Sequence, residues 1–349
     1  MAPTIKEVAR LARVSTASVS MVINQKYKGQ ISEEKRIRIL EAVKKLGYTP
    51  HRYGRALKLQ KSEIIGYTIS LPSMYVFSDP YFHDTIITME KKLKEYDYSL
   101  LFFTLSPQEG NSHLLEMNEQ VSLLDGLIIE APPLKDPLIL ELEKKKIPAV
   151  LIGRHPDAKK IPFVDVDNVD AGYRATEHLI KSGKKNICFI SGPLVFKNAL
   201  DRLKGYKNAL ARYGIVVNPG MIREGDLSIE SGYTAMAEIM NLDFPDGLVA
   251  GNDLMAIGAM NFLKEKGFKI PEEIAVVGFN NTSLSQHYDP PLTTVNIPAS
   301  ALAEKAVEIL IGLLNGNGTN PEQSSKVLDS ELMIRESTNL SLTPFTRGK

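Results

Sequence analysis

Residues 4–24 read Thr4-Ile-Lys-Glu-Val-Ala-Arg-Leu-Ala-Arg-Val-Ser-Thr-Ala-Ser-Val-Ser-Met-Val-Ile-Asn24, and this stretch decides the first fold of the chain. Thr4 and Glu7 have capping-box spacing, in which the hydroxyl accepts from the backbone at Glu7 while the carboxylate reaches back. Ile5, Val8, Ala9 and either Leu11 or Ala12 then share one helical face. Ala12-Arg-Val14 forms a short turn, and Ser15 is a good N-cap for a second helix, Thr16–Asn24. That helix turns Val19, Val22 and Ile23 inward and leaves Thr16, Ala17, Ser20 and Met21 outward. Working outward, Ser32 opens a third helix whose first turn carries Glu33 and Glu34, favourable at a helix N-terminus. Ile37, Leu40, Val43 and Leu46 are its expected inner face, and Gly47 suits a left-handed cap. Two short helices across a tight turn, braced by a third, make a helix-turn-helix unit.

A three-helix bundle need not bind anything. Here the outward face of the second helix is small and polar at its start, as close approach to base edges in the major groove requires. Charge points the same way. Residues 1–60 hold 13 Lys and Arg against 4 Asp and Glu, a net +9, and the remainder carries −8. A basic head on an acidic body suits a polyanionic partner, although a solvated lysine face has the same composition.

At 349 residues the chain exceeds one compact core and fits a small module plus larger ones. The N-terminal segment mixes charges with alanines instead of showing a secretory pattern. No apolar run approaches the roughly 20 residues of a membrane span. The single cysteine, Cys188, excludes an internal disulfide, and its setting, Asn186-Ile-Cys-Phe-Ile190, reads as a buried strand. These features point to a cytoplasmic protein.

Beyond residue 62 apolar runs alternate with helical patterns. Strands are expected at 64–71, 100–105, 126–130, 149–153, 163–166, 186–191, 221–224, 247–250 and 275–279. Helices are expected at 84–96, 170–182, 200–213, 231–240 and 254–266. Such alternation means parallel sheets covered on both faces, and the number of units fits two lobes with a ligand cleft between them. No dinucleotide, Walker, zincin or hydrolase-elbow motif is present, and the six histidines lack metal-ligand spacing, so neither enzyme, metal nor cofactor is indicated.

Several segments resemble the lactose-repressor/galactose-repressor family of transcriptional regulators. In the head these are Thr4–Ala12, Val14-Ser15, Ser18-Val-Ser20, Val22-Ile-Asn24 and Gly47-Tyr-Thr-Pro50. In the body they are Asp201-Arg-Leu-Lys-Gly-Tyr206, Gly251-Asn-Asp-Leu-Met-Ala-Ile-Gly258, Val276-Val-Gly-Phe-Asn-Asn281, Pro290-Pro-Leu-Thr-Thr-Val295 and Glu331–Ser337. The resemblance implies a head (1–49), a hinge (50–61) and a two-lobed, periplasmic-binding-protein-like domain (62–340). Lobe one is then about 62–163 plus 294–328, and lobe two about 164–293 plus 329–340.

It further implies that Thr16 and Ala17 govern operator choice, within a DNA-facing set of Thr4, Ser15, Thr16, Ala17, Ser20, Met21, Asn24 and Tyr48. Arg13 stands where the family has a turn glycine, and Met21 where it has an arginine. Residues 51–60 are too short to be a stable isolated helix and read as a tether by themselves. By resemblance they become a hinge helix on DNA, with Leu57 wedging into the minor groove beside Arg55 and Lys58; Gly54 lowers helix propensity there.

In the cleft the resemblance implicates Arg202, Asn252 and Asp253, with Asn280 replacing a family aspartate. Asp226 at a strand end, and Tyr81 and Phe82 as aromatic surfaces (Phe102 a weaker one), complete the candidates, because the chain has no tryptophan. The expected protein is a homodimer on a palindromic double-stranded DNA operator, controlled by a small molecule, with a sugar first in line. A non-sugar ligand, a protein partner and activation in place of repression stay open. The tail 340–349 has no heptad repeat that would make a tetramer.

Overall fold

The computed structural model describes residues 3–23, 27, 29–48, 61–104, 121, 123–316 and 321–339. The chain divides into two compact units, Met1–Ser62 and Glu63–Lys349.

In the first unit α1 (Ile5–Ala12) opens on the capping box: Thr4 N–H donates to Glu7 Oε2 at 2.6 Å, and Glu7 N–H donates to the Thr4 hydroxyl at 3.4 Å. It ends at Arg13, which takes the left-handed conformation, φ 53° and ψ 51°, that a glycine adopts without strain. Then come α2 (Thr16–Ile23) and α3 (Glu33–Leu46), the latter closed by Gly47 at φ 61°. The core is small: Val8, Ala9, Ala12, Val19, Val22, Ile39 and Ala42. Ala12 therefore faces inward and Leu11 outward. The expected inner face of α3 is out of phase. Ile37 and Leu40 are 48 % and 41 % exposed, whereas Ile39 is fully buried. The run Ile37-Arg-Ile-Leu40 supports two helical phases, and the Ile39, Ala42, Val43, Leu46 stripe is the one that meets α1 and α2.

In the second unit β1 (Ile64–Ile69), α4 (Ser73–Ser78), α5 (Pro80–Lys94), β2 (Ser99–Thr104), β3 (Gly126–Glu130), α6 (Pro137–Lys145), β4 (Ala149–Ile152) and β5 (Phe163–Val166) form a first run. A second run follows: α7 (Asn168–Lys181), β6 (Ile187–Ser191), α8 (Lys197–Arg212), β7 (Ile222–Glu224), α9 (Ile229–Met240), β8 (Gly247–Ala250), α10 (Asp253–Glu265), β9 (Ala275–Phe279), α11 (Ser283–His287) and β10 (Thr293–Asn296). The chain closes through α12 (Ala299–Leu314), α13 (Pro321–Ser324), β11 (Lys326–Leu328) and β12 (Glu331–Met333).

Two six-stranded sheets result, ordered β11-β5-β4-β3-β1-β2 and β12-β10-β9-β8-β6-β7. All pairings are parallel except β10 with β12. The sequence reading misses β10, β11 and β12, each only three or four residues long. It also places the crossovers early. β5 pairs wholly within the first sheet and β10 wholly within the second, so the chain crosses after Val166 and again after Asn296, not at 164 and 294. Helices begin one to four residues before their expected starts. Their first turns hold caps such as Asp79-Pro80 and Asp167, which lie outside the apolar stripe.

The α7–α8 contact positions the later site. Gly172 and Gly205 let the two backbones touch; a Cβ on Gly172 lies 2.2 Å from the Arg202 carbonyl oxygen. No larger residue fits without moving α8, and with it Arg202.

Candidate functional site

The head exposes the residues expected to face DNA at the start of α2. Thr16 and Ala17 are solvent-exposed, while Ser20 and Met21 are half-buried. Ser15 Oγ accepts from Ser18 N at 3.1 Å, the expected N-cap. The Thr4 hydroxyl is tied to Glu7 Oε2 at 3.0 Å, and Tyr48 is half-buried against the head core. Burial raises the Tyr48 phenol pKa, so it is a neutral donor at physiological pH. Asn24, Arg55, Leu57 and Lys58 lie outside the described residues.

In the second unit a cleft opens where the carboxyl ends of both sheets face each other. Tyr81, Phe82, Arg202, Asn252 and Asn280 all line it. Arg202 is buried; its Nε donates to Asn168 Oδ1 at 3.0 Å, its Nη1 donates to the Gly251 carbonyl at 2.7 Å, and its guanidinium lies 4.5 Å from the Phe279 ring. Burial lowers its pKa to about 10, which still leaves it charged at neutral pH. Asp201 pairs with Lys197. Asn252 caps α10 by accepting from Met255 N at 2.9 Å, and its amide donates to the Leu227 carbonyl at 2.9 Å. Phe102 packs into the core.

Two expected residues are not among those lining the cleft. Asp226 belongs to the turn after β7, and its carboxylate accepts from Ser228 N at 3.0 Å and from the Tyr75 hydroxyl at 3.1 Å. The strand stops at Glu224, so Asp226 folds back toward the cap of α9. Asp253 sits at the first position of α10 and points beneath the cleft. There it accepts from Thr282 N at 2.8 Å, the Thr282 hydroxyl at 2.9 Å and the Thr294 hydroxyl at 2.6 Å. Burial pushes its pKa up to about 6. It thereby ties α10 to Thr282, which follows the left-handed pair Asn280 (φ 102°) and Asn281 (φ 54°), and Asn280 lines the cleft.

Sequence reasoning missed two acids in the wall, Asp79 and Glu130. Asp79 caps α5, accepts from Tyr81 N at 3.0 Å and lies 3.5 Å from the Asn252 amide, so it spans the two lobes. Glu130 accepts from the Tyr67 hydroxyl and interacts with Tyr81; burial pushes its pKa up to about 7. Its sequence signal is a lone acid ending the apolar run Gly126-Leu-Ile-Ile129. The wall thus offers a guanidinium, amides and carboxyls around the rings of Phe82, Phe189 and Phe196. That set fixes hydroxyls by hydrogen bonds and packs their carbon skeleton. Among the described residues no group of three or more His, Cys, Asp and Glu could hold a metal ion, and no helix is long and apolar enough to cross a membrane.

Comparison with known proteins decides the family. Residues 4–51 match the family described as bacterial regulatory proteins, lacI family, and residues 176–338 match a periplasmic binding protein-like domain. The chain is 32 % identical over 340 residues to the HTH-type transcriptional repressor PurR of Haemophilus influenzae, covering 96 % of this chain and 98 % of that protein. This protein belongs to the LacI family of bacterial regulators. Among solved structures, the lac repressor dimer bound to operator and the anti-inducer ONPF superposes with a TM-score of 0.85 at 27 % identity, covering 97 % and 99 % of the two chains. The transcriptional regulator CelR–cellobiose complex gives a TM-score of 0.74 at 29 % identity, covering 96 % and 99 %. The LacI-family chain is a DNA-binding transcriptional regulator, with a helix-turn-helix head and a two-sheet sensing domain.

Proposed function

We propose that this regulator is a repressor that binds a near-palindromic operator as a homodimer and is switched by a sugar held in the cleft between its lobes. The observation that carries the effector half is Arg202, a buried guanidinium at a cleft wall that also offers Asn252, Asn280, Asp79 and Glu130 beside aromatic rings. A polyol presents matching donors and acceptors on a skeleton that stacks on rings. The solved CelR–cellobiose complex, of the same overall fold, supports a carbohydrate. On the DNA side Thr16 and Ala17 read base edges, with Ser15, Ser20, Met21, Thr4 and Tyr48 around them. Leu57, between Arg55 and Lys58, acts as the minor-groove wedge. Two-fold symmetry sets one head on each half-site. The protein works in the cytoplasm and turns nothing over.

The test is fluorescence anisotropy of the full-length chain on a palindrome with a central CG step, against a scrambled duplex, with and without a sugar panel, at two salt concentrations. Sequence-selective binding that one sugar strengthens or weakens, the sugar being recovered unchanged, is the expected result. Selective binding indifferent to every sugar moves the switch to a non-sugar ligand or a protein partner. If sites selected from random DNA also show no preference, the operator reading fails.

A further inference from the structure

The cleft has a second compartment. A second space adjoins the first and shares Tyr81, Glu130, Asn198 and Arg202 with it. Beyond that shared wall the two differ. The first is walled by Phe82, Phe189 and Phe196, with Asn252 and Asn280 at one side. The second is walled by the ends of β4 and β5, and its own polar groups are Arg154, Asp165, Asn168 and Lys197.

Arg154 and Asp165 form a distinctive pair there. Asp165 is 7 % exposed, and its Oδ1 accepts from Val166 N at 2.8 Å and from the Asn168 amide at 3.0 Å. Its Oδ2 lies 3.3 Å from Arg154 Nε, a buried nitrogen that makes no aligned hydrogen bond. The guanidinium carbon of Arg154 lies 5.1 Å from the Phe163 ring, and the side chain as a whole is 40 % exposed. Oδ2 thus keeps acceptor capacity, and the guanidinium keeps donors, on the wall of an open space. Core packing does not need a carboxylate and an arginine at two adjacent strand ends, whereas vicinal hydroxyls match them.

We infer that the effector is longer than one sugar ring: one unit occupies the aromatic compartment beside Asn252 and Asn280, and a second is held by Arg154 and Asp165. This rests on the carbohydrate reading given above. Arg202, Glu130 and Tyr81 lie between the two units and contact both. The two compartments discriminate by length, since a single ring does not reach the Arg154–Asp165 pair and gains nothing from it.

Isothermal titration of the full-length protein with glucose, galactose and fructose, and with maltose, cellobiose, lactose, sucrose and trehalose, tests this at concentrations up to about 10 mM. A disaccharide binding at least about tenfold tighter than its component rings is expected. Arg154→Ala and Asp165→Asn are expected to erase that advantage while leaving monosaccharide binding within about twofold. The asparagine keeps the oxygen that takes Val166 N–H, and Arg154 is half-exposed, so both variants fold; matching thermal transitions verify it. A monosaccharide as tight as every disaccharide overturns the inference, as does equal weakening of both by the variants. Those outcomes leave the carbohydrate reading standing. Failure of every sugar to bind overturns that reading and the inference together.

Discussion

The head and the sensing domain solve opposite problems. Among the described residues the head rests on seven buried side chains, none larger than isoleucine, and keeps Thr16 and Ala17 in solvent. The cleft buries Asp79, Glu130, Arg202 and Asn252 and half-buries Asn280, polar groups from widely separated positions. A surface that reads DNA meets its partner's charges and edges in water, so short exposed residues suffice. A small neutral ligand must be enclosed to be held, so the groups that fix it are desolvated and braced by one another. The comparison teaches that a substitution in the head acts through local stability, and one in the cleft through unpaired buried partners.

The largest expected effect tests the cleft. Arg202→Ala leaves Asn168 Oδ1 and the Gly251 carbonyl without their donor and removes the cation among Asp79, Glu130 and Asp165. Effector affinity is expected to fall at least about 100-fold, near 3 kcal/mol, with DNA affinity in the absence of effector unchanged. Calorimetric titration and anisotropy read the two separately, and a loss in both breaks the comparison.

Next comes Glu130. Its pKa in the folded protein is about 7, against 4.5 for an unperturbed glutamate. The folded state therefore holds a proton that the unfolded chain has lost. The stabilisation is complete below about pH 4.5 and is lost as pH rises through about 7. Denaturant unfolding of the wild type and Glu130→Gln should show the variant gaining about 3 kcal/mol on the wild type between pH 4.5 and 8. A pH-independent difference would falsify the burial argument.

In the head, Val19→Ala hollows a core with little to spare and should cost about 2 kcal/mol. Differential scanning calorimetry should show an earlier head transition and weaker operator binding at 37 °C, with effector affinity intact. The smallest effect sharpens the same point. Arg13→Gly relieves a left-handed residue and should stabilise the head by up to about 1 kcal/mol, raising that transition by a few degrees.

Legibility followed the same division. The capping box, the Ser15 and Ser32 caps and the Gly47 cap are all local, and each is visible in a few consecutive residues. The phase of α3 was not, because Ile37-Arg-Ile-Leu40 offers two stripes and only packing against α1 and α2 selects one. In the cleft, Arg202 and Asn252 stood out as residues, but nothing local distinguished them from Asp226 and Asp253. The carboxylate of Asp226 turns to its neighbour Ser228 and to Tyr75 of the other lobe, and that of Asp253 to Thr282 and Thr294, past the end of β9 and within β10; Tyr75, Thr282 and Thr294 are brought there by tertiary packing. Asp79 and Glu130 went unnoticed because an N-cap and a strand terminus are ordinary places for an acid.

By itself, the sequence determined the helix-turn-helix, the alternation that demands parallel sheets and the polarity of basic head and acidic body. Those follow from interactions between residues a few positions apart, or from composition. Only the tertiary structure decided which sheet β10 joins, which acids reach the cleft and that the cleft continues past Arg202 to Arg154 and Asp165. Each of those depends on where separate strands end relative to one another, and that register is fixed by packing in three dimensions, not by any contiguous stretch of the chain.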